Sequence, residues 1–135
     1  MYFFQIGHER YTDPSMIGDL GWKNDSKIKL SQIITAGHEK FDYTYDMGDD
    51  WHHSIVVQEV LSAEPKTKYP YCIGGARACP PEDCGGVWGY EAFLEAIADT
   101  DHQRHEELLE WIGGKFDPEL FNLEYVNKEL NKVKQ

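Results

Sequence analysis

Basic residues are scarce in this chain: 13 Lys and Arg stand against 24 Asp and Glu, for a formal net charge of −11 and an isoelectric point near 4.8. That balance opposes the counterion release that drives non-specific binding to DNA or RNA, so direct nucleic-acid binding is disfavoured. The two basic enrichments, Lys23 to Lys29 and Lys128 to Lys134, are interrupted by acidic or polar residues and read as solvated faces. No apolar run approaches the ~18 to 20 residues that span a bilayer, so no membrane partner is expected. The opening Met1-Tyr2-Phe3-Phe4 has no basic flank and its apolar character ends at Gln5, unlike a secretory signal, which makes the cytoplasm the expected compartment. Cysteine is absent everywhere except one loop, where three occur. An odd number in one place fits reduced thiols or metal ligands better than a disulfide framework. No G-x-S-x-G, H-E-x-x-H or P-loop signature is present.

What is present suits a single globular domain over residues 1–135, with 41% apolar residues and four Trp, eight Tyr and six Phe. Tyr2 to Ile6 reads as a strand, Gly7-His8 as a hairpin turn and Glu9 to Tyr11 as the returning strand. Ser15 to Asp25 reads as loop. Lys27 to Leu30 alternates like a short strand, and Ser31 is placed to cap a turn or two of helix. The strongest signal follows: Phe41, Tyr43 and Tyr45 alternate with Asp42, Thr44 and Asp46, giving an aromatic and a polar face. With a turn at Met47 to Asp50 and β-branched residues from Ile55 to Val60, residues 40–61 predict an antiparallel hairpin. A loop-rich stretch then leads to three helical segments. The first runs from Tyr90 through Ile97. The second has a capping box at Thr100 and Gln103 and ends at Gly113-Gly114. The third opens at Asp117-Pro118. The fold class expected is α+β, with an antiparallel or mixed sheet built around the long hairpin.

The segment from Cys72 to Gly89 holds three cysteines, two prolines and five glycines, a composition suited to a shaped loop. Cys72, Cys79 and Cys84 are spaced x6 and x4, neither of which is the x2 knuckle of a zinc ribbon. As thiolates they would suit zinc, with a fourth ligand from His52 or His53; neighbouring strand residues face opposite ways, so only one of the two can point to such a site. Glu82 or Asp83 is an alternative oxygen ligand. The competing reading treats the cysteines as small buried hydrophobes. A second constellation, Asp46 to His53, sets carboxylates beside histidines at a turn, suited to acid/base or metal chemistry through Asp49 and His53, and equally to ordinary turn formation. Gly85-Gly86-x-x-Gly89 leads into a helix but lacks the Lys-Ser/Thr of a phosphate loop. His102, His105 and Glu106 share a helix and read mainly as a solvated face.

Two motifs carry a resemblance. The run F-x-Y-x-Y-D-x-G-D-x-W-x-H-x-I from Phe41 to Ile55, and the block P-P-E-D-x-G-G-x-x-G-Y from Pro80 to Tyr90, are joined by Cys72 and by Phe116-Asp117-Pro118-Glu119. Together they resemble the uncharacterised plasmid pRi ORF-three-like family, found on chromosomes, plasmids and mobile elements. The resemblance implies an α+β fold and favours His53 over His52 as the partner of the cysteine and PPED segments. It carries Asp46, Gly48, Asp49, Trp51, His53, Cys72, Pro80, Pro81, Glu82, Asp83, Gly85, Gly86, Gly89 and Tyr90 as family positions. Relatives usually place a strand and a helix before the strand that corresponds to Tyr2 to Ile6. On that basis the first strand is expected to have an exposed edge, covered by a second copy in a homodimer.

The leading functional expectation is a cytoplasmic accessory or interaction module of plasmids or mobile elements, with an unknown protein partner and a polar cleft formed by the hairpin turn and the PPED loop. The enzymatic alternative is a metal-dependent, hydrolase-like activity using Asp49, His53, Glu82 and Asp83. Zinc on Cys72, Cys79, Cys84 and His53 is the metal expectation. Nucleic-acid association, suggested by the putative-resolvase label of some relatives, is the weakest reading.

Overall fold

A computed structural model describes residues 1–134. Packing divides them into two compact units: Met1–Leu61 together with Gly85–Val87, and Ser62–Cys84 together with the residues from Trp88 onward.

The first unit is a five-stranded mixed sheet. Its strands are β1 (Tyr2–Ile6), β2 (Glu9–Thr12), β3 (Lys23–Asn24), β4 (Lys40–Tyr45) and β5 (Trp51–Val56), in the spatial order β3-β2-β1-β4-β5. All neighbouring pairs are antiparallel except β2 and β3. The hairpin expected at residues 40–61 is present as β4 and β5, with Phe41 opposite Ile55 and Tyr43 opposite His53, but its second strand ends at Val56, short of residue 61. The expectation of an exposed first strand is corrected. β1 lies in the middle of the sheet, with Phe4 opposite Tyr11 on one side and Tyr43 on the other. The reason is a match of aromatic alternation: Tyr2 and Phe4 register with Tyr45 and Tyr43, so these four rings fall on one face. Phe4 and Tyr43 pack with centroids 4.8 Å apart, and Tyr2 lies 6.0 Å from each of Phe4 and Tyr43. Such pairs are worth roughly 0.5–1.5 kcal/mol beyond their area. The sheet edges are the two-residue β3 and the hairpin strand β5.

The opposite face is polar. Thr12 and Thr44 are buried there, and the Thr12 hydroxyl donates to the Tyr2 carbonyl at 2.5 Å. Phe3, the one ring on that side of β1, is covered by Trp22 at 5.0 Å and by the Arg10 guanidinium at 4.8 Å. Gln5 accepts from Arg10 Nε at 2.7 Å and fixes that stack.

Two local expectations change between β2 and β4. Lys23–Asn24, read as loop, adds a parallel edge strand too short for periodicity to reveal. Lys27 to Leu30 is not a strand: Asn24 accepts from Ser26 N and opens a 3-10 turn at Asp25–Lys27, followed by the short helix α1 (Leu30–Ile33). After α1 the chain turns back to β4 around Glu39. Its carboxylate accepts from the backbone N–H groups of Ala36 at 2.5 Å, Thr35 at 2.6 Å and Gly37 at 3.0 Å. These donors, Ala36 foremost, pull the Glu39 pKa down to about 2.

The three helices expected towards the carboxy end are present as α2 (Gly86–Ala98), α3 (His105–Ile112) and α4 (Leu123–Leu130), and the second unit holds α2 from Trp88 onward with α3 and α4. Their starts differ from expectation. α3 begins at His105 rather than after Thr100, because Arg104 N donates to the His102 ring at 3.0 Å and holds a turn there. Asp117-Pro118 makes one turn only, closed by Leu120 N on the Asp117 carbonyl, and α4 starts later, where Asn122 accepts from Tyr125 N. Phe93, 3% exposed, is the centre of the packing, with Phe116 at 5.4 Å and Trp111 at 5.7 Å, both edge-on. α3 ends at Gly113 in the left-handed conformation, as Gly113-Gly114 predicts.

Because Glu39 titrates well below an unfolded glutamate, its stabilisation is fully present above about pH 4.5 and lost as pH falls through about 2. In an NMR titration the Glu39 carboxyl and the Ala36 and Gly37 amides should share a midpoint near 2, and a common midpoint near 4.5 would show that the loop is not held this way.

Candidate functional site

The sheet sorts the histidine pair as its two-residue period requires. His53 lies on the aromatic face, its ring 5.4 Å from Tyr43, with Nδ1 3.0 Å from the Trp51 carbonyl and 3.2 Å from the Tyr43 carbonyl. Nδ1 therefore carries the proton and donates, which leaves Nε2 as the basic nitrogen. His52 lies on the polar face, with Nε2 3.4 Å from Asp42.

The turn between β4 and β5 is built from aspartates in strained backbone. Asp46 and Asp50 have φ of 52° and 57°, and Asp50 N donates to the Asp46 carbonyl at 2.6 Å. Short polar side chains tolerate this region better than most, which explains the Asp-rich composition without invoking catalysis. Asp49 has a structural partner: its Oδ2 accepts from Gly85 N at 3.1 Å. Gly86 follows at φ 71°, and a methyl group there would overlap the Asp49 carbonyl oxygen. The hairpin turn thus grips Gly85-Gly86 directly. α2 starts at Gly86 rather than at Tyr90 as expected.

In the second unit the cysteine loop is also pinned. Cys72 N donates to Asn127 Oδ1 at 2.7 Å and Asn127 Nδ2 returns a bond to the Cys72 carbonyl at 2.9 Å. The Cys72 thiol donates to the Gly74 carbonyl at 3.1 Å. Ala78 N donates to the Pro118 carbonyl at 3.0 Å, and Gly75 lies directly under the Phe121 ring. Cys79 is exposed, and Cys72 and Cys84 are half-buried. Asp83, at φ 57°, and Cys84 line a hollow of about 470 Å³ with Phe93, Arg104 and Trp111; the Arg104 guanidinium is already engaged by Glu107, at 3.1 and 3.2 Å. Burial raises the Tyr90 pKa, aided by the nearby Cys84 and Glu119 charges. Glu82 is exposed. His105 contacts the Ala96 carbonyl at 2.8 Å, so it serves backbone geometry, as His102 does just before α3.

His53 and Asp49 thus belong to the sheet unit, while Cys72, Cys79, Glu82, Asp83 and Cys84 belong to the helical unit. Among the described residues no three His, Cys, Asp or Glu side chains are gathered as a metal would need.

The feature that the sequence reading missed lies on the aromatic face. Phe4, Ile6, Phe41 and Ile55 from the sheet, with Ile33 of α1 and Ile28 just before it, surround a hollow of about 440 Å³ whose lining is apolar except for Asp25. Leu30 at its rim is 65% exposed. The sequence signal was Ile28, Leu30 and Ile33 following Asp25, of which alternation read Lys27 to Leu30 as a short strand and left Ile33 to a helical turn.

This mixed-sheet α+β architecture, with its Asp-rich hairpin turn gripping a Gly-Gly helix start, defines the class of protein, and the comparisons agree. The chain belongs to the plasmid pRiA4b ORF-3-like protein family, whose model matches residues 1–125. It is 42% identical over 105 residues to the uncharacterized protein y4hQ of Sinorhizobium fredii (strain NBRC 101917 / NGR234), a match that covers 77% of this chain and 54% of y4hQ. The chain therefore spans about half the length of that relative. It also resembles the crystal structure of MM3350, a protein of unknown function from Methanosarcina mazei Go1, with a TM-score of 0.81 and 34% identity over 93% of this chain and 72% of the other.

Gly86→Ala should destabilise the chain by more than about 1 kcal/mol, because it adds a clash with Asp49 to the strain of positive φ. Gly7, at φ 61° with open space around it, supplies the control. Equal losses for Gly86→Ala and Gly7→Ala in denaturant unfolding would show that the turn does not press on Gly86.

Proposed function

We propose that the chain is an interaction module, a cytoplasmic accessory of plasmid or mobile-element genes, that receives an apolar helical segment of a partner polypeptide on the aromatic face of its sheet. The observation that carries this reading is the apolar hollow: a face rich in Phe, Tyr and Ile, with exposed Leu30 at its margin, is costly in water and gains by being covered. Charge selects the partner. At −11 per chain a second copy is repelled, whereas a segment flanked by basic residues is attracted. A homodimer is therefore the competing occupant, and the hollow distinguishes the two by what it contacts.

The metal-using alternative assigns chemistry to Asp49, His53, Glu82 and Asp83, with zinc on Cys72, Cys79, Cys84 and His53. The Asp49 bond to Gly85 gives that carboxylate a structural duty, which weighs toward the interaction reading. Native mass spectrometry of reduced chain supplied with zinc tests the alternative: a stable one-to-one adduct lost on Cys84→Ser would favour it.

A photo-crosslinking residue in place of Leu30, with one in place of Ser54 on the polar face as control, tests the docking reading. The expected result is an adduct at position 30 only, whose sequenced peptide is apolar, flanked by Lys or Arg, and foreign to this chain. Adducts to a second copy, or equal adducts at both positions, would overturn it.

A further inference from the structure

The lining of the aromatic-face hollow is chemically uneven, and the unevenness points to a particular group on its occupant. Eight of the nine lining residues have apolar or aromatic side chains, and Asp25 is the sole carboxylate. Asp25 is held in place from two directions. Its backbone carbonyl accepts from Ile28 N at 3.0 Å within the 3-10 turn, and its Oδ2 accepts from the Tyr2 hydroxyl at 2.6 Å. Oδ1 accepts no hydrogen bond from any described residue, and none of the described ion pairs uses Asp25. Lys27 and Lys29, its basic chain neighbours, are exposed. The Tyr2 pKa is pushed up to about 12, first by that hydrogen bond to Asp25 and then by burial, with the Asp25 and Asp13 charges adding to it. This end of the hollow is therefore a fixed negative site at the edge of an apolar wall.

We infer that the occupant of the hollow inserts a lysine or arginine side chain, its aliphatic stem lying against Ile28, Ile33 and Phe41 and its cation seated on Asp25 Oδ1. The inference rests on the docking reading above and specifies the partner's anchor. The stem of Lys or Arg is apolar and covers hydrophobic surface, while its head needs a charged or aqueous partner. A neutral apolar anchor would fill the wall and leave Oδ1 without a donor as water is displaced, which is unfavourable for a carboxylate. An anionic anchor would meet both Asp25 and the net charge of the chain. The Tyr2 hydroxyl cannot supply the missing donor to Oδ1, because it is already committed to Oδ2.

Three eight-carbon probes, each kept below its critical micelle concentration at pH 7, separate these cases: octylammonium, octanol and octanoate. Binding is read by methyl NMR shifts of Ile28, Ile33 and Ile55. Octylammonium should bind about ten-fold more tightly than octanol, the equivalent of about 1.4 kcal/mol, and octanoate should bind most weakly. Asp25→Asn keeps an acceptor for Tyr2 and should lower octylammonium to the level of octanol while leaving octanol unchanged. Ile33→Trp, which fills the hollow, should weaken all three. Equal affinities for octylammonium and octanol, or an ammonium preference that survives Asp25→Asn, would overturn the cationic anchor and leave the docking reading in place. Failure of octanol itself to bind would remove both.

Discussion

The pairing of β1 with β4 is the interaction on which the rest of the structure depends. With Phe4 opposite Tyr43 and Tyr2 opposite Tyr45, these four rings fall on one face and Thr44 on the other. A slip of one residue would exchange the faces and send Thr44 and Asp42 into the apolar side. From this register follow the placement of His53 beside Tyr43, the approach of the Ile28 to Ile33 segment, and the apolar hollow between them. The same register leaves Phe3 alone on the polar face, which explains why Trp22 and Arg10 are drawn across it.

Much of this was legible because alternation is a local signal. Phe41, Tyr43 and Tyr45 announced a two-faced strand, and the Asp-Gly-Asp composition announced its turn. The central position of β1 was not legible, since the choice between an edge and an interior place depends on which strand arrives later in the chain. Lys23–Asn24 offered two residues and no period. Lys27 to Leu30 did alternate, yet the capping of Ser26 N by Asn24 was worth more locally than a strand without a free neighbour to pair with. In the helical unit the apolar stripes were clear and the boundaries were not, because the starts of α3 and α4 are fixed by specific bonds: His102 to Arg104 and Asn122 to Tyr125.

The candidate site shows the same division. Residue types with obvious chemistry, the aspartates, histidines and cysteines, drew attention first, and several prove to hold backbone: Asp49 on Gly85, His105 on Ala96, and the Cys72 peptide held by Asn127. The hollow was hidden because it consists of ordinary strand and helix residues, and its openness depends on what covers them. Composition counts such residues as core, whereas the fold of the sheet unit leaves part of their surface lining a hollow.

The central claim is that this apolar face is open and ready to accept an apolar group. Methyl NMR of the isolated chain under xenon pressure measures this directly, since xenon enters apolar hollows without needing polar contacts. The account predicts saturable shifts at Ile6, Ile28, Ile33 and Ile55 of the hollow, with little change at Ile97 and Ile112 of the helical unit. Unchanged hollow methyls, or shifts confined to the helical unit, would contradict it.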